Sequence, residues 1–209
     1  MDATRLAPLS GVAATVLVVA STIASGTTPA ADAPVSEVVS FYEEHGTGQI
    51  ASAVLLSGGA LFLLLFAATL ATAFRRSEAT RGPTILFLSG AAVLAVGLSI
   101  FASLSLALGD LQGDVDDTTL RALNVLSQTM VFPVTLGVSA CMLGAGFAVL
   151  RSSVVSRWLG WVGLACGLVA AVPSHVLGGV LDHIGFAGFI GMFAWTLVVG
   201  VLLAMRPAT

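Results

Sequence analysis

Apolar residues run along this chain in six long blocks, near residues 7–26, 48–74, 83–108, 122–150, 158–178 and 184–205. A helix rises about 1.5 Å per residue, so roughly 20 residues cross the hydrocarbon core of a bilayer. Every block reaches that length, and none alternates apolar and polar positions as barrel strands do over about ten residues. The pattern predicts an all-α polytopic transmembrane bundle of six helices, forming a single domain over 1–209. The first block follows Arg5 and has small residues near its end, as a secretory signal does. Its run is long and lacks a convincing cleavage motif, so it reads as a retained helix.

The polar stretches between the blocks carry their own patterns. In "TTPAADAPVSEVVSFYEEHGTG", Val35, Val38, Val39 and Tyr42 repeat at helical spacing, with Glu37, Ser40, Glu43 and Glu44 opposite. Asp32 and Pro34 suit a helix start and Gly46 a helix stop. A short outer amphipathic helix is therefore expected between the first two spans, lying on the surface or capping the bundle. The stretch "GDLQGDVDDTT" holds four aspartates but lacks the alternation and closing glutamate of an EF-hand. Asp116, Asp117 and Thr118 suit a helix N-terminus better than a calcium site.

Arginines orient the expected bundle. Arg5, Arg75, Arg76, Arg81, Arg151, Arg157 and Arg206 fall on one side, and only Arg121 on the other. Positive residues stay inside, so both termini are expected in the cytoplasm and the protein in the cytoplasmic membrane. Most of the acidic residues fall on the opposite side.

Composition agrees with this solvent. Hydrophobic residues make up 57% of the chain and charged residues 9%, against about 25% charged in soluble domains. All eight basic residues are arginine, so no lysine can hold a Schiff-base cofactor. No nucleophile elbow, HExxH, P-loop or dinucleotide fingerprint occurs. No cofactor is implied, and nucleic acid is not an expected partner.

Inside the spans no ionisable carboxylate, arginine or lysine lies near mid-membrane, which weighs against a proton-coupled pump or a carrier of charged solutes. Small residues form stripes, namely Gly160, Gly163, Gly167 and Ala171 on the fifth helix and Ser89, Ala92, Val96, Ser99 and Ser103 on the third. Close helix packing is their ordinary use. Cys141 and Cys166 are expected at similar depth on adjacent helices as buried core thiols. Pro133 should kink the fourth helix about one turn earlier.

Candidate chemistry gathers at the outer rim. Asn124, Ser127 and Gln128 share one face of the fourth helix, and Thr135 continues it inward. In "VPSHVLGGVLDHIG", His175, Asp182 and His183 sit where the last two helices turn, and His45 lies on the same side. Asn124, Gln128, His175 and Asp182 form the candidate ligand-binding set. His45, His175, Asp182 and His183 form the candidate metal set, because imidazole suits zinc or copper. Their spacing matches no established metal motif.

The segments "SEVVSFYEEH", "LRALN…FPVTLGVSACMLGAGFAVLR" and "RWLGWVG" give the chain a family look. It resembles small multi-pass membrane proteins of bacteria with Arg- and Ala-rich proteomes, grouped as domains of unknown function. The likeness covers nearly the whole chain but implies no activity and no site. The leading expectation is a non-catalytic accessory, scaffolding or sensing component, with the bilayer and a membrane complex or homo-oligomer as partners. The alternative is a carrier or channel for a small neutral or lipophilic solute entered through the rim. A metal site or enzyme there is the third. A carrier requires a groove reaching past Gln128, whereas a scaffold requires a tight small-residue core.

Overall fold

The computed structural model describes residues 7–75, 78–111, 113–172 and 182–205, with the backbone alone described for 182–185. It is helical throughout, and no strand occurs among the described residues. The helices are α1 (Ser10–Ser25), α2 (Val35–Phe74), α3 (Arg81–Asp110), α4 (Asp117–Thr129), α5 (Val131–Leu150), α6 (Arg157–Ala170) and α7 (Asp182–Ala204). Short 3₁₀ turns lead into α1 and α3.

Among the described residues, five helical stretches are long and apolar enough to cross a membrane, with α4 and α5 together making one of them. These stretches are compatible with an integral membrane protein. α6 is apolar but 14 residues long. The span expected over 158–178 runs on from it into residues outside the described set.

The helices close into a ring. Each of α1, α2, α3, α5, α6 and α7 packs on the next, and α7 returns to α1. The α3–α5 seam is built by backbones in close approach. A Cβ on Gly90 would lie 2.2 Å from Cys141 N, and one on Gly144 would lie 2.3 Å from Phe87 N. On the next seam the expected stripe of α6 does pack, since Gly160, Gly163 and Gly167 lie against α5, although Ala171 is exposed. Ser139 on α5 donates to Gly167 O at 2.8 Å, and Trp195 Nε1 on α7 donates to Leu159 O at 2.8 Å. Exposed hydroxyls of α3 bond their own helix instead, as Ser99 does to Ala95 O and Ser103 to Ser99 O. Trp158 and Trp161 are exposed, as interface anchors should be.

Several sequence expectations change in the structure. The outer amphipathic helix exists, but it runs without a break into the second span as the first part of the 40-residue α2. Gly46 does not end it. Gly46 is buried there, and α3 comes so close that a Cβ on Gly109 would lie 2.7 Å from the Gly46 carbonyl oxygen, so the glycine of α3 permits the approach. On α3 the stripe of Ser89, Ala92, Val96, Ser99 and Ser103 faces outward and is exposed. The packing face is the neighbouring Gly90, Ala91, Leu94, Gly97 and Leu98. The two cysteines do lie on neighbouring helices, Cys141 buried with its backbone against Gly90 of α3 and Cys166 half-buried with its Sγ against Gly191 on α7.

Two local signals act where expected. The helix is interrupted at Met130, between α4 and α5, one turn before Pro133. Asp116 caps α4, accepting from Thr119 N at 2.9 Å and from the Thr119 hydroxyl at 2.7 Å. These bonds hold its carboxyl below the usual carboxylate range.

Candidate functional site

The outer part of α2 turns its apolar face inward. Val38 and Tyr42 are each 1% exposed and pack with Ala33, Leu108 and Leu120 into a small second core. The amphipathic segment therefore caps the bundle. Its polar face, with Glu37, Ser40, Glu43 and Glu44, is exposed.

Three amides tie α2 and α4 to the end of α1 and the loop that follows it. Asn124 is fully buried, accepts from the Tyr42 hydroxyl at 2.7 Å and donates from Nδ2 to Pro29 O at 3.3 Å. Gln128 Nε2 donates to Pro29 O and to Thr28 Oγ1, each at 3.2 Å. Gln49, 2% exposed, donates from Nε2 to Ser25 O at 2.8 Å. Buried amides left unpaired are costly, and here each donates to a backbone carbonyl of the loop or of the end of α1. At Gly26 the chain leaves α1 with φ +68°, a left-handed value that glycine adopts without strain.

Beneath this roof lies a cavity of about 600 Å³. Its walls come from α1, α2, α3, α4, α5 and α7 and from the Gly26–Thr28 stretch. Ser21, Ser25, Gln49, Ser52, Ser105 and Gln128 supply polar groups, while Val18, Leu56, Leu98, Phe101, Val134 and Phe189 supply the apolar wall. Tyr42 is the only ionisable side chain among the described residues that line it. Burial pushes its phenol up to about 12, so it presents a neutral hydroxyl. Arg121 lies one turn outward of Asn124 on α4 and does not line the cavity; its Nε is buried without a hydrogen-bond partner. The space runs inward past Gln128 to Val131, Val134 and Thr135.

No protein-family model, curated protein or solved structure matches the chain.

The cavity takes in part of the candidate ligand set. Gln128 lines it, with Ser127 and Thr135 from the same helix face. Asn124 stands behind, turned to Tyr42 and Pro29. His175 lies outside the described residues, as do the side chains of Asp182 and His183. His45 is exposed, stacks on the Phe41 ring at 4.5 Å between centroids, and places Nδ1 3.0 Å from Phe41 O. Among the described residues no three His, Cys, Asp or Glu side chains come together as a metal group.

Gln49, Ser52, Tyr42 and Ser105 are functional candidates that sequence reasoning missed. A signal was available on α2, where Tyr42, Gln49, Ser52 and Leu56 follow one another at spacings of seven, three and four along a buried face. Read as one continuous helix, that face carries polar groups across the boundary between cap and span. Nothing comparable marks Ser105.

Proposed function

We propose that the protein binds a small neutral or lipophilic solute in this cavity, as a carrier does. The observation that carries the reading is a 600 Å³ space lined by hydroxyls and amides over an apolar wall, with the Tyr42 phenol as the one ionisable group among the described lining residues. Ligand sites are commonly of this size and mixture, mostly apolar with a few polar groups that fix orientation. An ion or a strongly charged solute would meet no compensating charge among the described lining residues. The arginine distribution supports a cytoplasmic-membrane protein with both termini inside, which puts the polar end of the cavity outside.

Cysteine accessibility tests the reading. With Cys141 and Cys166 changed to alanine, Ser52→Cys places one thiol in the cavity wall. Uncharged N-ethylmaleimide should modify it in intact vesicles, and a sulfonated methanethiosulfonate should not. A thiol inert to both reagents until the protein is denatured would contradict a solute-accessible cavity.

A second reading, an accessory or scaffolding subunit, is supported by the exposed face of α3. Ser89, Ala92, Val96, Ser99 and Ser103 present small side chains outward, where another helix can approach closely. A protein partner retained at fixed stoichiometry through gentle purification would favour it.

A further inference from the structure

The first half of α1 packs on the second half of α7. A Cβ on Gly200 would lie 2.9 Å from Pro8 O, and the Thr15 hydroxyl reaches Phe193 O at 3.3 Å. Beyond that pair, Ser21, Thr22 and Ser25 on α1 and Phe186 and Phe189 on α7 line the cavity. Thr22 is exposed and Phe186 is 56% exposed, so the cavity reaches the surface at both helices. The stretch of α1 that borders it, Val18 to Ser25, rises about 10 Å along the helix. Next to Thr22 stands Ile23, 77% exposed. A mouth bordered by exposed apolar side chains at the end of a membrane span faces lipid tails more readily than water.

We infer that the gap between α1 and α7 is a side entrance from the bilayer, and that the ligand is a neutral lipid with a small hydroxyl-bearing head, of the glyceride class. The inference rests on the neutral-solute reading of the cavity. Gln128, Gln49 and Ser52 offer hydrogen bonds to such a head, while Leu98, Val134 and Phe189 take the first part of a chain. The rest of the chain passes out between the helices. Among the described lining residues no arginine or lysine is present to neutralise a phosphate, so a phospholipid head leaves its charge uncompensated against them.

Photolabelling of the full chain in phosphatidylcholine vesicles tests this, using a monoacylglycerol with a diazirine in its acyl chain. Adducts are expected on Phe189 and on Val18 or Thr22, competed by unlabelled monoacylglycerol. They should be lost in Thr22→Trp, which fills the gap, and kept in Ile23→Trp, which adds the same bulk on the lipid-facing side. A phosphatidylglycerol carrying the same diazirine chain should label only lipid-facing positions such as Val16, Val19 and Ile23. Glyceride adducts confined to those outer positions would overturn the side entrance, and equal cavity labelling by phosphatidylglycerol would overturn the neutral head. The Ser52→Cys probe separates the two levels. If maleimide enters and the glyceride does not, the entrance fails while the neutral cavity stands; if neither enters, both fail.

Discussion

The Tyr42 hydroxyl donates to Asn124 Oδ1 at 2.7 Å, joining two residues 82 positions apart in a fully buried contact. It links the outer part of α2 to α4 directly above the cavity, and the same Asn124 donates to the loop at Pro29 O. Tyr42→Phe should cost about 1–3 kcal/mol, because it leaves Asn124 Oδ1 buried without its donor. Asn124→Leu should cost a similar amount, and the double variant should cost clearly less than the sum. Unfolding in detergent micelles by graded addition of SDS measures all three. Additivity within about 0.3–0.5 kcal/mol would mean that the two groups do not depend on one another.

Tyr42 is the one tyrosine in the chain, so tyrosinate absorbance reports it alone. Burial raises its phenol from the ordinary 10.0 to about 12. Because the folded value lies above the unfolded one, the stability held by the neutral phenol is complete below pH 10. It falls as pH rises from 10 and is lost on passing about 12. A spectrophotometric titration of the folded protein with its midpoint near 10 would show that the hydroxyl is open to water.

The α3–α5 seam leaves no room for a side chain at its glycines. Gly144→Leu drives carbon into the Phe87 backbone, where a Cβ alone would sit 2.3 Å from the amide nitrogen. Overpacking of this kind costs roughly 1–3 kcal/mol, and more where backbone is the obstacle. Gly82→Ala is the matched control, because nothing lies within 4 Å of its added Cβ. Thermal unfolding should fall sharply for the first and stay level or rise slightly for the second. Equal behaviour would contradict the close approach of α3 and α5.

Gln49 ties α2 to the last turn of α1 at Ser25 O. Gln49→Leu removes a bond worth about 0.5–1.5 kcal/mol and frees the start of the loop. Hydrogen exchange over residues 26–34 should then quicken by roughly two- to tenfold, by the equivalence of about 1.4 kcal/mol to a factor of ten. Unchanged exchange would show that the loop is held by Asn124 and Gln128 without it.

What the sequence made legible was whatever a short window contains. The spans are continuous apolar runs, the break at Met130 follows from Pro133, and the cap at Asp116 is a local pattern. Gly46 reads as a stop because glycine suits helix ends, yet the helix runs through it, and the close approach there rests on Gly109 of α3. On α3, small residues occupy two adjacent faces, so Ser89 and Ala92 read as well as Gly90 and Ala91 for the packing surface. Gln128 was found because it shares a face with Asn124. The cavity itself was not readable, since Ser21, Gln49, Ser105 and Phe189 come together only when the ring closes.

Native mass spectrometry of the protein, released from its own membrane in mild detergent, tests the central claim most directly. The wild-type chain should carry an uncharged small-molecule adduct. Ser52→Trp, which fills the cavity, should lose it, and Ser89→Trp, on the exposed face of α3, should keep it. A wild-type chain free of any adduct, or an adduct held equally by both variants, would contradict a ligand seated in this cavity.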